Sequence, residues 1–375
     1  MRGYTGRGME LKRNNKMRIA EYISQSASVS KAEIASGLDI SMPTVLQNVK
    51  ELIAAGLVEE TGEYESTGGR KAKALAIRRD AGYTVGVDAT NNHITFVMAD
   101  ARRDIISSER VRQKYSDSGE YEDMLISMIK KFISRQKIDS SRIAGIGFSV
   151  PGIVDKEQKL LLRSHTLQVQ NISLRPIGDA LGYPYSVGND ASSAAYAELG
   201  SENENAVYLS LSSTVGGAVR LHGQFYEGEQ LKSAEFGHMV IEKGGRKCYC
   251  GKEGCLDAYC AAQVLQEQSG MNLEQFFEKV RQKDKKILKI WDEYLDYLAV
   301  GVTNLRMIFD CRIVLGGYVG GYMEEFLPDL YRKVKLYNNF DADVSYLYAG
   351  KYKYNASAFG AALTFTDSIL ERGQA

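Results

Sequence analysis

Residues Glu235–Asp257 read EFGHMVIEKGGRKCYCGKEGCLD. Three of the chain's five cysteines, Cys248, Cys250 and Cys255, fall within eight residues of this stretch, and His238 stands ten residues before the first. One imidazole and three thiolates make a closed tetrahedral donor set, which is what a structural zinc ion takes. Gly251 and Gly254 let the backbone turn tightly enough for three sulfurs to face one metal. The alternatives are a chance cluster of free thiols or a disulfide. The motif is too crowded for unstrained pairing, and no signal peptide accompanies it. The stretch is therefore expected to be a loop pinned by Zn2+ on His238, Cys248, Cys250 and Cys255, without Cys260 or Cys311. The carboxylates at its two ends, Glu235 and Asp257, are held beside it.

Outward from this loop, 375 residues with 44% hydrophobic and 25% charged content allow two or three domains with real cores. No window approaches twenty uninterrupted apolar residues, so no membrane span is expected. The N-terminus has no apolar signal core, which predicts a cytoplasmic protein. The net charge is zero but unevenly placed. Residues 1–18 hold Arg2, Arg7, Lys12, Arg13, Lys16 and Arg18 against Glu10 alone. Such an arm suits an anionic partner, although alone it reads equally as a solvated tail.

The residues after the arm favour the partner. Met17, Ile19, Ala20 and Ile23 recur at helical spacing within 16–26. Ser30 and Glu33 form a capping box for a helix from Lys31 to Ser36 that Gly37 should stop. Ser41 then caps a third helix with Pro43 in its first turn and Val45, Val49, Leu52 and Ile53 as its buried stripe. Leu57–Glu60 and Ala74–Ile77 flank a polar tip, Gly68–Lys71, as a two-stranded wing. The pattern is a winged helix-turn-helix. Its third helix is expected to present Ser41, Met42, Thr44, Gln47, Asn48 and Lys50 to DNA bases and phosphates, with Arg70 reaching from the wing. Winged helices also serve as protein–protein modules; the basic arm argues for double-stranded operator DNA.

From Tyr83 onward strands alternate with helices. Tyr83–Asp88, a polar turn and Ile94–Ala99 form one unit, and Ala206–Leu211 with the small-residue turn Ser212–Gly217 repeats it. Between them lie an amphipathic helix, Glu120–Gln136, and a buried strand, Ile143–Phe148. After the cysteine loop come helices at Asn272–Gln282 and Lys286–Phe309, the latter burying Trp291, Leu295, Leu298 and Leu305. A strand at Arg312–Leu315 opens into Gly316-Gly317, and a closing helix, Asn355–Leu370, has the small residues Ala356, Gly360 and Ala361 on one face. A duplicated strand–turn–strand unit makes two similar lobes with a cleft between them.

These residues together resemble the ROK family (repressor, open reading frame, kinase). The resemblance rests on CxCGxxGC with its upstream E-x-G-H, on Val150–Asp155 (VPGIVD), on Gly188–Asp190 (GND) and on Leu315–Gly317 (LGG). The S-x-P-T-V helix and G-G-R wing tip resemble the family's NagC/XylR/Mlc-type regulators. The resemblance implies an α/β fold: a winged helix-turn-helix followed by a two-lobed actin-like (ribonuclease H-like) sugar-kinase-type domain. The expected divisions are 1–80, the DNA-binding domain with its basic arm, and 81–188, a first lobe completed by 355–372. The second lobe, 189–354, carries the zinc loop and the dimer interface. Carried over residue by residue, Asp190 takes the family's general-base position, and Asn189, Asp190, Glu235, His238 and Asp257 hold sugar hydroxyls. Asp257 is a departure, since the family usually has Glu there, and one methylene less puts that contact in doubt.

The phosphate turns depart further. The family's D-x-G-G-T is here Asp88-Ala89-Thr90-Asn91-Asn92, and its G-T-G-x-G is Ser212-Ser213-Thr214-Val215-Gly216. Glycine is required where phosphate oxygens approach the backbone, because a Cβ blocks them. Gly316-Gly317 survives, but a Gly-Gly turn has a structural reading as well. The expectation is a cytoplasmic sugar-responsive transcriptional regulator and repressor, a homodimer or dimer of dimers, sensing a sugar or sugar phosphate between its lobes. Asp190 is then a vestigial base with no catalysis to perform. The alternatives are an ATP-dependent sugar kinase that also binds DNA, and a regulator whose main partner is a sugar-transport protein.

Overall fold

The structure is a computed structural model that describes residues 15–64, 72–200, 204–338, 340–341 and 343–372. Helix α1 (15–24) buries Ile19, Ala20 and Ile23 as its spacing predicts. The capping box of α2 (Lys31–Leu38) is complete: Glu33 N donates to Ser30 Oγ and Ser30 N to Glu33 Oε2. Gly37 does not end this helix, which runs on to an Asp39 at φ 53°. A Cβ on Gly37 would lie 2.4 Å from Tyr22 Oη, so the glycine is there for the approach of α1. Helix α3 (Met42–Ala54) starts at Ser41 and buries Val45, Val49 and Leu52, but Ile53 is 37% exposed, outside the predicted stripe. Strands β1 (Val58–Tyr64) and β2 (Ala72–Ile77) pair antiparallel as the wing; its tip, with Arg70, lies outside the described residues.

The first lobe begins with a meander of β3 (Tyr83–Ala89), β4 (His93–Asp100) and β5 (Ile105–Arg112), followed by α4 (Gly119–Arg135) and β6 (Ile143–Val150). A three-stranded antiparallel sheet, β7 (Ile153–Asp155), β8 (Leu160–Ser164) and β9 (Val169–Ser173), comes next, and then α5 (Arg175–Leu181). Strand β10 (Tyr185–Asn189) returns parallel to β6, giving the order β10-β6-β3-β4-β5, and α6 (Asp190–Leu199) follows directly. Strands β3 and β6 are buried along almost their whole length, because helices cover both faces.

The second lobe repeats the plan. Strands β11 (Ala206–Leu211), β12 (Val215–Leu221) and the short β13 (Gln224–Phe225) are antiparallel neighbours. The cysteine loop leads into α7 (Asp257–Cys260), α8 (Ala262–Ser269), α9 (Leu273–Arg281) and α10 (Lys285–Phe309). Trp291, Leu295, Leu298 and Leu305 are buried, packed with Phe276 and Phe277 of α9. Strand β14 (Arg312–Gly316), α11 (Gly317–Gly320), α12 (Met323–Tyr337) and β15 (Leu347–Ala349) complete the order β13-β12-β11-β14-β15.

The predicted closing helix is two helices, α13 (Ala356–Leu363) and α14 (Thr366–Arg372). The break comes where Thr364 Oγ1 donates back to Ala361 O and Phe365 packs against Gly145. The small residues of α13 seat its backbone directly on its neighbours. An added Cβ would lie 1.6 Å from Ser193 O at Gly360 and 1.7 Å from Ala358 O at Gly86. Beyond the break, Ile369 and Leu370 of α14 join Ile19, Leu52, Leu75 and Ala144 in one hydrophobic cluster. The DNA-binding head and the first lobe thus share a core across residue 80. No helix among the described residues is long and apolar enough to cross a membrane.

Candidate functional site: an interlobe cavity beside a metal cluster

The cysteine loop brings together the four residues that its spacing predicts. One ligand atom from each of His238, Cys248, Cys250 and Cys255 lies within 4.8 Å of the others, so the group could hold a metal ion. Cys248 Sγ is 3.8 Å from His238 Nδ1, and Cys250 Sγ is 3.7 Å from Cys255 Sγ. A tetrahedron with metal–sulfur bonds of about 2.3 Å has edges of about 3.8 Å, so these spacings fit. Gly251 turns the chain at φ 90°, and at Gly254 (φ 78°) a Cβ would meet Glu242 O at 1.7 Å. Cys260 and Cys311 are buried elsewhere as free thiols. Burial pushes the Cys248 thiol up to about 12 and raises Cys255. A metal replaces the lost solvation of the thiolates.

His238 serves two sides. Its Nδ1 faces the sulfurs, while Nε2 lies 3.3 Å from Tyr249 Oη and 4.0 Å from Glu235. That second nitrogen points into a cavity of about 440 Å³ between the lobes. Asn189, Asp190, Glu235 and His238 all line it, joined by Gly152 and Tyr249. Asn189 caps α6, accepting from Ser192 N at 2.9 Å while its Nδ2 donates to Gly152 O at 2.9 Å and to Asp190 Oδ1 at 3.1 Å. Asp190 Oδ1 also accepts from Ala191 N, so the bonds named here all fall on one carboxylate oxygen. Burial lifts the Asp190 carboxyl to about 6, against the lowering effect of these bonds. Behind it Asp88, buried and bonded by Ser149 Oγ, is raised to about 7 by burial and by the charge of Asp190.

Asp257 stands apart from this group. It does not line the cavity; its buried Oδ2 accepts from Val215 N at 2.6 Å and so braces the turn before β12. Sequence reasoning missed a further set of lining residues, Lys156, Arg163 and His165 around the β7–β9 sheet and Tyr226 and Lys232 in the loop before Glu235. The short apolar run Leu160-Leu161-Leu162 before Arg163 was the available signal.

At the positions of the family's two phosphate turns the chain bonds to itself. Thr90 Oγ1 donates to His93 O and accepts from His93 N, tying the β3–β4 hairpin. In the second turn Ser212 N donates to Thr214 O, and the hydroxyls of Ser210 and Ser212 are 3.2 Å apart. A Cβ on Gly316 would lie 2.3 Å from Tyr208 Oη, and one on Gly317 2.5 Å from Ser212 Oγ, which gives that Gly-Gly pair a packing role. Across the cleft, Arg110 of the first lobe rests on the rings of Tyr354 (4.1 Å) and Tyr318 (5.1 Å) of the second.

On the DNA-binding head, Ser41, Gln47 and Lys50 are exposed and Thr44 is half-buried with its Oγ1 2.8 Å from Ser41 Oγ. Asn48 corrects the prediction: it is 1% exposed, and its Nδ2 donates to Thr44 O. At about 100° per residue, position 48 lies only about 60° from Val45 and about 40° from Leu52, on the buried face. Leu46, 48% exposed, occupies the outer face instead. Of the arm, Lys16 and Arg18 are described, and Arg18 Nη2 donates to Leu38 O; Arg2, Arg7, Lys12 and Arg13 lie outside the described residues.

Comparison with known proteins agrees with this architecture. The ROK family model matches residues 84–368, and a winged helix-turn-helix DNA-binding model matches residues 12–59. The chain is 28% identical over 316 residues to the xylose repressor of Bacillus subtilis (strain 168), covering 81% of this chain and 82% of the relative. Its fold is similar to a solved ROK family transcriptional regulator, a homologue of the Escherichia coli MLC protein (TM-score 0.74, 21% identity, 97% and 98% covered). A ROK family glucokinase from Streptomyces griseus, solved with glucose and AMPPNP, matches 76% of this chain and 99% of its own (TM-score 0.64, 20% identity). The chain belongs to the ROK family and carries a winged helix-turn-helix in front of the family's domain.

Proposed function

We propose that this protein is a sugar-responsive transcriptional repressor of the cytoplasm that binds operator DNA through its winged head and senses its effector in the interlobe cavity. The observation that carries the reading is the unequal fate of the cleft's two halves. Asn189, Asp190, Glu235 and His238 converge on the cavity as hydroxyl-reading groups, whereas the turns that would cradle a nucleotide's phosphates carry side chains at Thr90, Asn91, Ser212 and Thr214, where the family has glycine. Phosphoryl transfer depends on positioning and charge stabilisation of the phosphate, so a raised Asp190 without a phosphate cradle has no proton transfer to drive. The similarity to a xylose repressor supports the same reading.

The metal is Zn2+, which suits three thiolates and one imidazole in a tetrahedron. It is structural: it fixes the loop on which Glu235 stands and orients the His238 ring. Asp257, set back on Val215 N, contributes to the sugar site by bracing the turn, and reaches a hydroxyl only through water. The working form is a homodimer, since paired heads read two half-sites. Ile308, Leu336 and Phe340, exposed at 65%, 75% and 87% in the second lobe, offer apolar surface for that contact. The effector acts only to the extent that it binds the DNA-competent and DNA-released forms with different affinity.

The test follows thermal stability and operator binding of the full chain across monosaccharides and their phosphates, with and without ATP, and with Asp190→Asn as the comparison. A ligand that shifts both readouts in the wild type and fails in the variant supports the sensor. ATP-dependent turnover on the order of 1 s⁻¹ or more, absent in the variant, would replace this reading with a kinase that also binds DNA. Sugar effects that arise only when a sugar-transport protein is added would make that protein the main partner.

A further inference from the structure

We infer that the effector is an anionic sugar, bearing a phosphate or a carboxylate, and that Arg163 with Lys232 receives the negative group in the cavity. The inference rests on the sugar-sensing reading and deepens it. The cavity lining is of two chemical kinds. Asn189, Asp190 and Glu235 are hydroxyl readers; Arg163 of the β7–β9 sheet and Lys232 of the loop before Glu235 are cations.

The state of each cation separates those already committed from those that are not. Lys156 pairs with Glu227, and Lys252 donates to His238 O. The Arg163 guanidinium makes no hydrogen bond or ion pair among the described residues, and Lys232 bonds only the neutral amide of Gln230. An uncommitted arginine on open surface is merely solvated, but Arg163 is anchored against the sugar readers. Its strand residue pairs with Ile153, and a Cβ on Gly152 would lie 2.3 Å from Arg163 O. Gly152 O in turn accepts from Asn189 Nδ2. One residue therefore separates the backbone that carries the guanidinium from the amide that caps α6. His165, two residues further, sets its ring 6.4 Å from Tyr249, whose hydroxyl faces His238 Nε2. The cationic residues thus lie beside the hydroxyl-reading group.

A neutral sugar needs no such cations, and an acidic sugar gains from them: a guanidinium fork matches phosphate or carboxylate through paired N–H donors. At about 440 Å³ the cavity has room for a ring together with its charged substituent. The cations stand on neither of the turns at residues 90–92 and 212–214, where the family cradles a nucleotide, and their anion is assigned to the effector.

The experiment is calorimetric titration of the zinc-loaded full chain with xylose, glucose and N-acetylglucosamine, each free, as its terminal phosphate and, for the first two, as the corresponding sugar acid, with inorganic phosphate alongside. One charged form should bind at least about tenfold tighter than its neutral parent, the scale of one or two charge-assisted bonds. Arg163→Gln, an exposed substitution, should bring that ratio to near one, and Lys232→Gln should lower it in part. Which charged series gains identifies phosphate or carboxylate as the source. Neutral sugars that bind as tightly as their charged forms overturn the inference and leave sugar sensing intact. An unchanged ratio in Arg163→Gln, or inorganic phosphate binding as tightly as the phosphorylated sugar, overturns it too. If no sugar in any form binds, the sensing reading itself falls.

Discussion

The reading helix offers a test in which two adjacent residues should behave oppositely. Gln47 is exposed on α3, its amide held only by Glu51 at 2.8 Å, whereas Asn48 is buried and bonded to Thr44 O. Gln47→Ala removes a base-reading amide, worth about 1–3 kcal/mol, or roughly 5- to 150-fold in affinity for the operator over a scrambled duplex. It should leave stability within about 0.5 kcal/mol, as surface substitutions do. Asn48→Ala removes a buried hydrogen bond and opens a small void, for a loss of about 1–2 kcal/mol in stability. The ratio of operator to scrambled binding should then be unchanged. Fluorescence anisotropy on both duplexes at one salt concentration, with urea unfolding of both variants, measures all four quantities. If Asn48→Ala lost tenfold or more in operator preference while unfolding like the wild type, the placement of this face of α3 would be wrong.

Metal content should be close to one zinc per chain, falling in Cys250→Ser and unchanged in Cys311→Ser, by mass spectrometry of the purified protein. A wild type that folds and binds its effector equally well after chelation would refute the proposed structural role, in which a metal would fix the loop carrying Glu235 and His238. Asp88 should make stability depend on pH. Its carboxyl is raised to about 7 from an ordinary value near 4, so the native state holds a proton that the unfolded chain has released. Stability contributed this way is full below about pH 4 and is lost as pH rises through 7. Asp88→Asn, which keeps an acceptor for Ser149 Oγ, should therefore be the more stable protein at pH 8 and lose most of that advantage by pH 4. Urea unfolding at the two pH values decides it, and a variant less stable than wild type at pH 8 contradicts the burial argument.

What the sequence made legible and what it hid differ in physical kind. The grouping of His238, Cys248, Cys250 and Cys255 was readable because these donors are chemically distinctive and lie within one short loop, so the covalent chain alone brings them together. The caps of α2 and α3 were readable for the same reason of locality. Asn48 was misread because polarity was taken for exposure, although its helical phase already placed it between Val45 and Leu52. The break at Thr364 was hidden because Ala356–Leu370 has the composition of one helix. What ends α13 is a side-chain bond to Ala361 O and the seat of Phe365 on Gly145, over two hundred residues away. The cations needed tertiary structure outright, since Arg163 and Lys232, about seventy residues apart in sequence, come to one cavity only in the fold.

The same long-range contacts set what a signal from the cavity must move. Asn189 and Asp190 begin α6, and three residues later the Ser193 carbonyl lies where a single methyl on Gly360 would collide with it. Backbones this close have no side chains between them to absorb a displacement. Helix α13 is seated equally closely on β3 and β6 through Gly86 and Gly147, and two residues beyond its end α14 inserts Ile369 and Leu370 into the head's own core. Glycines at these positions are therefore a condition of the architecture: with any larger residue, α6, α13 and the central strands could not all touch. An effector that shifts the start of α6 works against a stack of backbones that ends inside the DNA-binding domain. The head can follow that stack because Ala144, Ile369 and Leu370 belong to the same hydrophobic cluster as its own core.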